Sequence, residues 1–185
     1  MISATDLRKG VTFELDGELH RVLEYQHSYI GRGSANVRVK LRNLRTGRAV
    51  DRTFSAGEKF QDVRLELRQV QYLYRDGDLF YFMDSETYEQ PALTAEVLQE
   101  NVDYLKEGML LSISMYEDRA VEIELPVTVE LEVTKTDPGV KGDTATGATK
   151  RAVLETGLEV QVPLFVEEGD VIRVDTRTRE YLTRV

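Results

Sequence analysis

From Asn36 to Leu44 apolar and polar residues alternate one for one. Val37, Val39 and Leu41 fall on one side, and Arg38, Lys40 and Arg42 on the other. A period of two belongs to a β-strand with one buried face, and it cannot be reconciled with a helix. The segment therefore reads as a strand that packs through its valines and presents a row of cations. Leu19 to Gln26 reads as a second strand, less regular, and between the two lies Ile30-Gly31-Arg32-Gly33-Ser34-Ala35. Gly31 and Gly33 can supply the positive φ that a hairpin tip requires. Eight residues of strand span about 26 Å, so an arm only partly packed would carry Arg32 clear of its barrel.

Charge marks the same region. Between Glu24 and Asp51 there is no Asp or Glu, but there are six bases, Arg32, Arg38, Lys40, Arg42, Arg45 and Arg48, in a chain of formal charge −9. Residues 1–64 hold 12 Lys+Arg against 8 Asp+Glu, residues 65–126 hold 4 against 14, and residues 127–185 hold 8 against 11. An acidic chain that keeps one segment free of negative charge is built to bring that segment near phosphate. Arg is a poor general base and a good close-range contact for phosphate or a base edge. The residues point to positioning RNA or DNA, not to bond-making.

The strand signal continues. Glu66–Tyr74, Leu79–Met83, 109–116 and 119–125 read as strands, followed by Val127–Thr136, Leu158–Val162, Val171–Val174 and Tyr181-Leu182. Asp16-Gly17, Thr46-Gly47 and Arg75-Asp76-Gly77-Asp78 read as turns, and 137–147 as a turn-rich loop. One helix is expected over Thr94–Leu105, with Thr94 as its cap and Gly108 as its stop. Strands in threes to fives with one short helix suit small barrels of the OB type. The expected organisation is three barrels, 1–64, 65–126 and 127–185, joined without Gly/Ser-rich linkers, hence by fixed or narrowly hinged joints.

Other chemistry finds little support. The chain has no Cys, so disulfides, thiolate metal sites and thiol nucleophiles are excluded. His20 and His27 stand seven apart on one strand, which predicts opposite faces. Tyr72, Tyr74, Phe80, Tyr81 and Phe82 could stack on bases, but in so acidic a block they read as core. Glu117/Asp118 and Glu167/Glu168 read as solvated turns. No P-loop spacing and no dinucleotide fingerprint occur. There is no run of eighteen apolar residues and no signal-peptide pattern, so no membrane partner is expected and a cytoplasmic home is the simplest.

A longer pattern lies in the last third. It runs Asp137-Pro138-Gly139-Val140-Lys141-Gly142-Asp143-Thr144, Leu154-Glu155-Thr156-Gly157, Val162-Pro163-Leu164-Phe165-Val166 and Gly169 to Arg177, and ends in Glu180-Tyr181. Ser3–Arg8 and Phe54–Lys59 join it. Together these make the chain resemble the bacterial elongation factor P family over essentially its whole length. The resemblance implies an all-β protein with a KOW/SH3-like first barrel and two OB-type barrels, in an L-shaped arrangement that mimics tRNA. It implies no catalytic residue, metal or cofactor. Its partners would be the 70S ribosome, peptidyl-tRNA and rRNA, with the protein acting as a monomer between the peptidyl and exit sites to relieve stalling at consecutive prolines. Arg32 falls at the tip near the peptidyl-transferase centre, with Gly31, Gly33 and Ser34 as the tip loop. Arg38, Lys40 and Arg42 join it as RNA contacts. Tyr181 and Arg184 match a C-terminal E-Y-x-x-R that implies contact near the small subunit and tRNA. Family members with Arg at the tip include rhamnosylated and unmodified ones, so Arg32 is also a candidate modification site. Two other readings share these features, a paralogue of the family and a generic RNA-binding module of small barrels.

Overall fold

The computed structural model describes residues 1–28, 35–139 and 147–185. Strands dominate, and they form three antiparallel sheets in chain order. The first contains β1 (Ile2–Ser3), β2 (Thr12–Leu15), β3 (Glu18–Ser28), β4 (Asn36–Asn43), β5 (Ala49–Ser55) and β6 (Lys59–Asp62), in the order β1-β6-β2-β3-β4-β5. The second contains β7 (Glu66–Asp76), β8 (Leu79–Asp84), β9 (Ala92–Thr94), β10 (Leu110–Tyr116) and β11 (Arg119–Glu124), in the order β11-β10-β7-β8-β9. The third contains β12 (Thr128–Thr136), β13 (Thr149–Leu154), β14 (Glu159–Pro163), β15 (Val171–Asp175) and β16 (Glu180–Arg184), in the order β14-β13-β12-β15-β16.

The second and third sheets have one topology. In each, the first strand is central, the next two extend one side and the last two the other. This is the connectivity of a partly open five-stranded OB barrel. In the third sheet the end strands β14 and β16 come into contact, so the barrel is nearly closed. By compactness the chain forms two units, one of Met1–Arg68 with Ile113–Glu122 and one of Gln69–Ser112 with Ile123–Val185. No helix among the described residues is long and apolar enough to cross a membrane.

The first core gathers Ala4, Leu7, Phe13, Val22, Val37, Val39, Leu41 and Phe54. Phe13 is wholly buried, 4.9 Å from the Phe60 ring and 6.3 Å from the Phe54 ring between centroids. Arg21 of the same unit ends in an ion pair with Glu122, 2.7 Å from Nη1 to Oε2.

The turns follow their residues. Asp16 and Gly17 both have positive φ, the two-residue hairpin geometry that matches strand twist. Glu117 and Asp118 do the same, as turn residues. The helix differs from expectation. Thr94 is extended and makes no side-chain cap, and the α-helix is one turn, Ala95–Leu98. Gln99 then adopts φ 53°, ψ −134°, and the chain continues as a 3-10 helix over Gln99–Tyr104, four residues short of Gly108. Leu98 and Tyr104 are both buried. On one continuous α-helix, six residues turn through about 600° and would set them about 120° apart. Breaking the helix allows both to be buried, with Tyr104 entering the core of the third sheet.

Two strand expectations also change, both through bulges. The register of β3 against β4 slips between Val22 and Glu24. His20 then lies opposite Asn43 and His27 opposite Val37, and these partners share a face of β4. The two histidines are therefore on the same face, because the extra residue reverses the parity of the strand. The register of β7 against β8 slips between Tyr72 and Tyr74. Tyr72, Phe80 and Phe82 are core, as expected, but Tyr74 is half exposed and stacks on Tyr81 at 4.8 Å with a 20° interplanar angle.

Candidate functional site

The strand β4 carries the basic row. Val37, Val39 and Leu41 are buried, and Arg38, Lys40 and Arg42 take the opposite face. β4 is paired along both edges, with Asn36 opposite Ser28 on one side and Ser55 on the other. The described part of the expected arm is therefore built into the sheet as far as Asn36. The tip residues Gly31, Arg32, Gly33 and Ser34 lie outside the described residues, and so do residues 140–146 of the turn-rich loop.

The cations of β4 differ in their company. Arg38 is exposed, its cross-strand neighbours are the neutral Gln26 and Thr53, and it has no ion partner among the described residues. Lys40 Nζ lies 3.7 Å from Glu24 Oε1, with Asp51 opposite on β5. Arg42 lies opposite Arg21, whose guanidinium is engaged by Glu122. Arg38, the cation of β4 nearest Asn36, thus lacks the carboxylate company that Lys40 has.

Tyr181 and Arg184 are on β16, in the second unit. Three residues apart on a regular strand they would take opposite faces. The register of β15 against β16 slips between Arg173 and Val174, so Tyr181 pairs with Val174 and Arg184 with Ile172. Both partners point into the core, so the bulge sets Tyr181 and Arg184 on the same face of the sheet. Tyr181 packs on the third core, and Arg184 lies 5.2 Å over the Phe165 ring and 3.6 Å from Asp170 Oδ2. Phe165 is itself more than half exposed. A guanidinium over an exposed ring puts charge and an aromatic face side by side. Sequence reading did not reach Phe165 as a companion of Arg184, nor Arg8 over Tyr25 at 4.6 Å, since neither contact is local in sequence.

The hairpin that presents β16 is held by Asp175, which is buried. Arg177 donates to its carboxylate from Nε and Nη2 and from the backbone N–H at 2.8–3.2 Å. The Arg177 side chain first, then the backbone N–H, hold the Asp175 carboxyl down to about 2 from an ordinary 3.8. A depressed folded-state pKa gives stability that is full above about pH 4 and lost as pH falls toward 2. Asp175→Asn should therefore remove stability at neutral pH and flatten the acid limb of unfolding in that window. A carboxyl titration of Asp175 followed by NMR checks the value directly.

No group of three or more His, Cys, Asp or Glu that could hold a metal ion occurs among the described residues. The arrangement is one of cations, rings and sheet faces, able to bind and orient a polyanion.

A model of the elongation factor P KOW-like domain matches residues 3–60, one of its OB domain residues 65–123, and one of its C-terminal domain residues 129–184. Full-length relatives called elongation factor P are 54% identical in Moorella thermoacetica over 184 residues, 54% in Coprothermobacter proteolyticus and 50% in Caldanaerobacter subterraneus subsp. tengcongensis, with 100% of each chain covered. The solved archaeal structure described as eukaryotic translation initiation factor 5A from Methanococcus jannaschii shares the fold, with TM-score 0.54 at 21% identity over 67% of this chain and 93% of that one. These define a translation elongation factor, not an enzyme. The chain belongs to the elongation factor P family.

Proposed function

We propose that this chain binds the 70S ribosome between the peptidyl and exit sites and speeds peptide-bond formation at consecutive prolines. Proline is a poor nucleophile with a rigid ring. A factor that holds peptidyl-tRNA in a productive geometry lowers the entropic part of the barrier without joining the reaction. The ribosome remains the catalyst. Residues 1–64, 65–126 and 127–185 act as three barrels. The first points Arg32, on the loop of Gly31, Gly33 and Ser34, toward the reacting end of peptidyl-tRNA. Arg38, Lys40 and Arg42 face its phosphates, while Tyr181 and Arg184 meet RNA at the far end. The protein works as a cytoplasmic monomer.

Family membership supports the setting. The observation that carries the reading is the outward row on β4, in which Arg38 stands unneutralised among the described residues beside the tip segment. A generic RNA-binding module would share that row, so the test is functional. In a purified translation system, adding the protein should shorten the pause on a Pro-Pro-Pro message and leave a message without prolines unchanged. Arg38→Glu should raise the concentration of factor needed, with a weaker dependence on salt, since a phosphate contact is removed. If the pause is unaltered at saturating protein, the reading fails and the RNA-binding module stands.

A further inference from the structure

The turn between β15 and β16 contains a residue in an unfavourable place. Arg179 has φ 63°, a left-handed conformation that glycine or asparagine adopts far more readily than a long side chain. Strained positions of this kind persist where the surroundings over-determine them. The surroundings here come from another part of the second unit. Arg179 Nη2 donates to Asp103 Oδ2 at 2.6 Å, and its guanidinium lies 5.8 Å from the centre of the Tyr104 ring. Asp103 and Tyr104 end the 3-10 helix that links β9 to β10.

Tyr104 is 2% exposed and sits among Leu131, Val133, Leu154 and Val174, residues of the third sheet. That packing and the Arg179 cation beside it hold the side chain in place. Nearby, Lys106 Nζ reaches Glu155 Oε1 at 2.9 Å, and that same oxygen accepts the Glu132 N–H. The segment 99–106 is thus fastened to the third sheet at three points, two ionic and one apolar.

We propose that Arg179 is a positioning residue that latches the 3-10 segment Gln99–Tyr104 to the β15–β16 turn, so that within the second unit the link between β9 and β10 stays docked on the third sheet. Its side chain, not its backbone, is the reason for a non-glycine residue at that turn.

Hydrogen exchange of the full chain, read by mass spectrometry, tests it. Arg179→Gly relaxes the turn and removes the latch. Exchange across 99–106 should rise about three- to tenfold, a modest factor because the ion pair is half exposed, while β15 and β16 exchange at the same rate or more slowly. Asp103→Asn cuts the latch from the other side, leaves the turn untouched and should give the same pattern. Arg179→Lys should restore part of the protection. Salt near 1 M should bring the wild type toward the variants, because screening weakens an exposed pair. The proposal is overturned if either removal variant leaves 99–106 unchanged. It is overturned equally if Arg179→Gly loosens β15–β16 as much as 99–106, which would make Arg179 an ordinary folding determinant of its own hairpin.

Discussion

Arg32→Ala should return the Pro-Pro-Pro pause to its length without factor, while the variant still binds ribosomes. The two effects separate because they use different contacts. Affinity for a polyanion is spread over many cations, and Arg38, Lys40 and Arg42 remain on β4. Under the proposed function, rate depends on a contact that Arg32 makes at the reacting end. One hydrogen bond to a charged group is worth about 1.5–3 kcal/mol, which corresponds to about a ten- to hundredfold loss in rate. Arg32→Lys should keep part of the effect, since it retains charge but loses the planar fork of donors. Single-turnover peptide-bond formation beside a ribosome-binding titration makes both measurements. Full rescue by Arg32→Ala would remove the tip from the mechanism even though family membership stands. Intact mass of the native protein shows whether Arg32 carries a deoxyhexose.

The second large effect is structural. Phe13→Ala should lower the stability of the first unit by about 3–5 kcal/mol, the usual result of emptying a buried aromatic site. Phe13 is wholly buried and touches Phe54 and Phe60, whose rings are in turn 4.7 Å apart. Phe54 lies opposite Val37 on β4, so the cavity opens directly behind the basic row. Against a domain stability of about 5–15 kcal/mol, such a loss removes a large share of the margin that keeps the sheet folded. Proline rescue should fall with it. The chain has no Trp, so urea unfolding is best followed by circular dichroism, with hydrogen exchange to show the loss in β2 to β4. A cost below about 1 kcal/mol would mean that the three rings repack freely and do not fix the row.

The two variants fail in different ways, which makes them useful together. Arg32→Ala should leave the scaffold and remove the proposed contact. Phe13→Ala leaves the contact and removes the scaffold. Only the first should preserve ribosome binding.

Much of this protein was legible one residue at a time. The alternation of β4 was read correctly, because side chains on successive residues of a strand point to opposite faces wherever the strand is regular. The acid-free stretch was legible because charge needs no fold to be counted. The turns at Asp16-Gly17 and Gly77 were legible because positive φ selects its residues locally. The motifs of the last third placed the chain in its family. What escaped was every feature set by a bulge. Nothing in Val22-Leu23-Glu24 or Leu73 announces an extra residue, yet these slips decided that His20 and His27 share a face and that Tyr74 stacks outside while Tyr72 stays inside. The helix was over-read for a related reason. Residues 94–105 have helical spacing, but two separate burial sites for Leu98 and Tyr104 outweighed it.

By itself, the order of residues left β1, β2, β5, β6, β9 and β13 unread, but it determined that the chain is built mainly of strands, which face of β4 is cationic and which family the chain joins. These follow from steric periodicity and net charge, properties a segment has wherever it is placed. Only the tertiary structure decided which side chains meet: Arg184 over Phe165, Arg179 against Asp103, Lys40 beside Glu24. Such meetings depend on strand register and on the packing of distant segments, and hydrogen bonding to a partner strand fixes register in a way no local pattern contains.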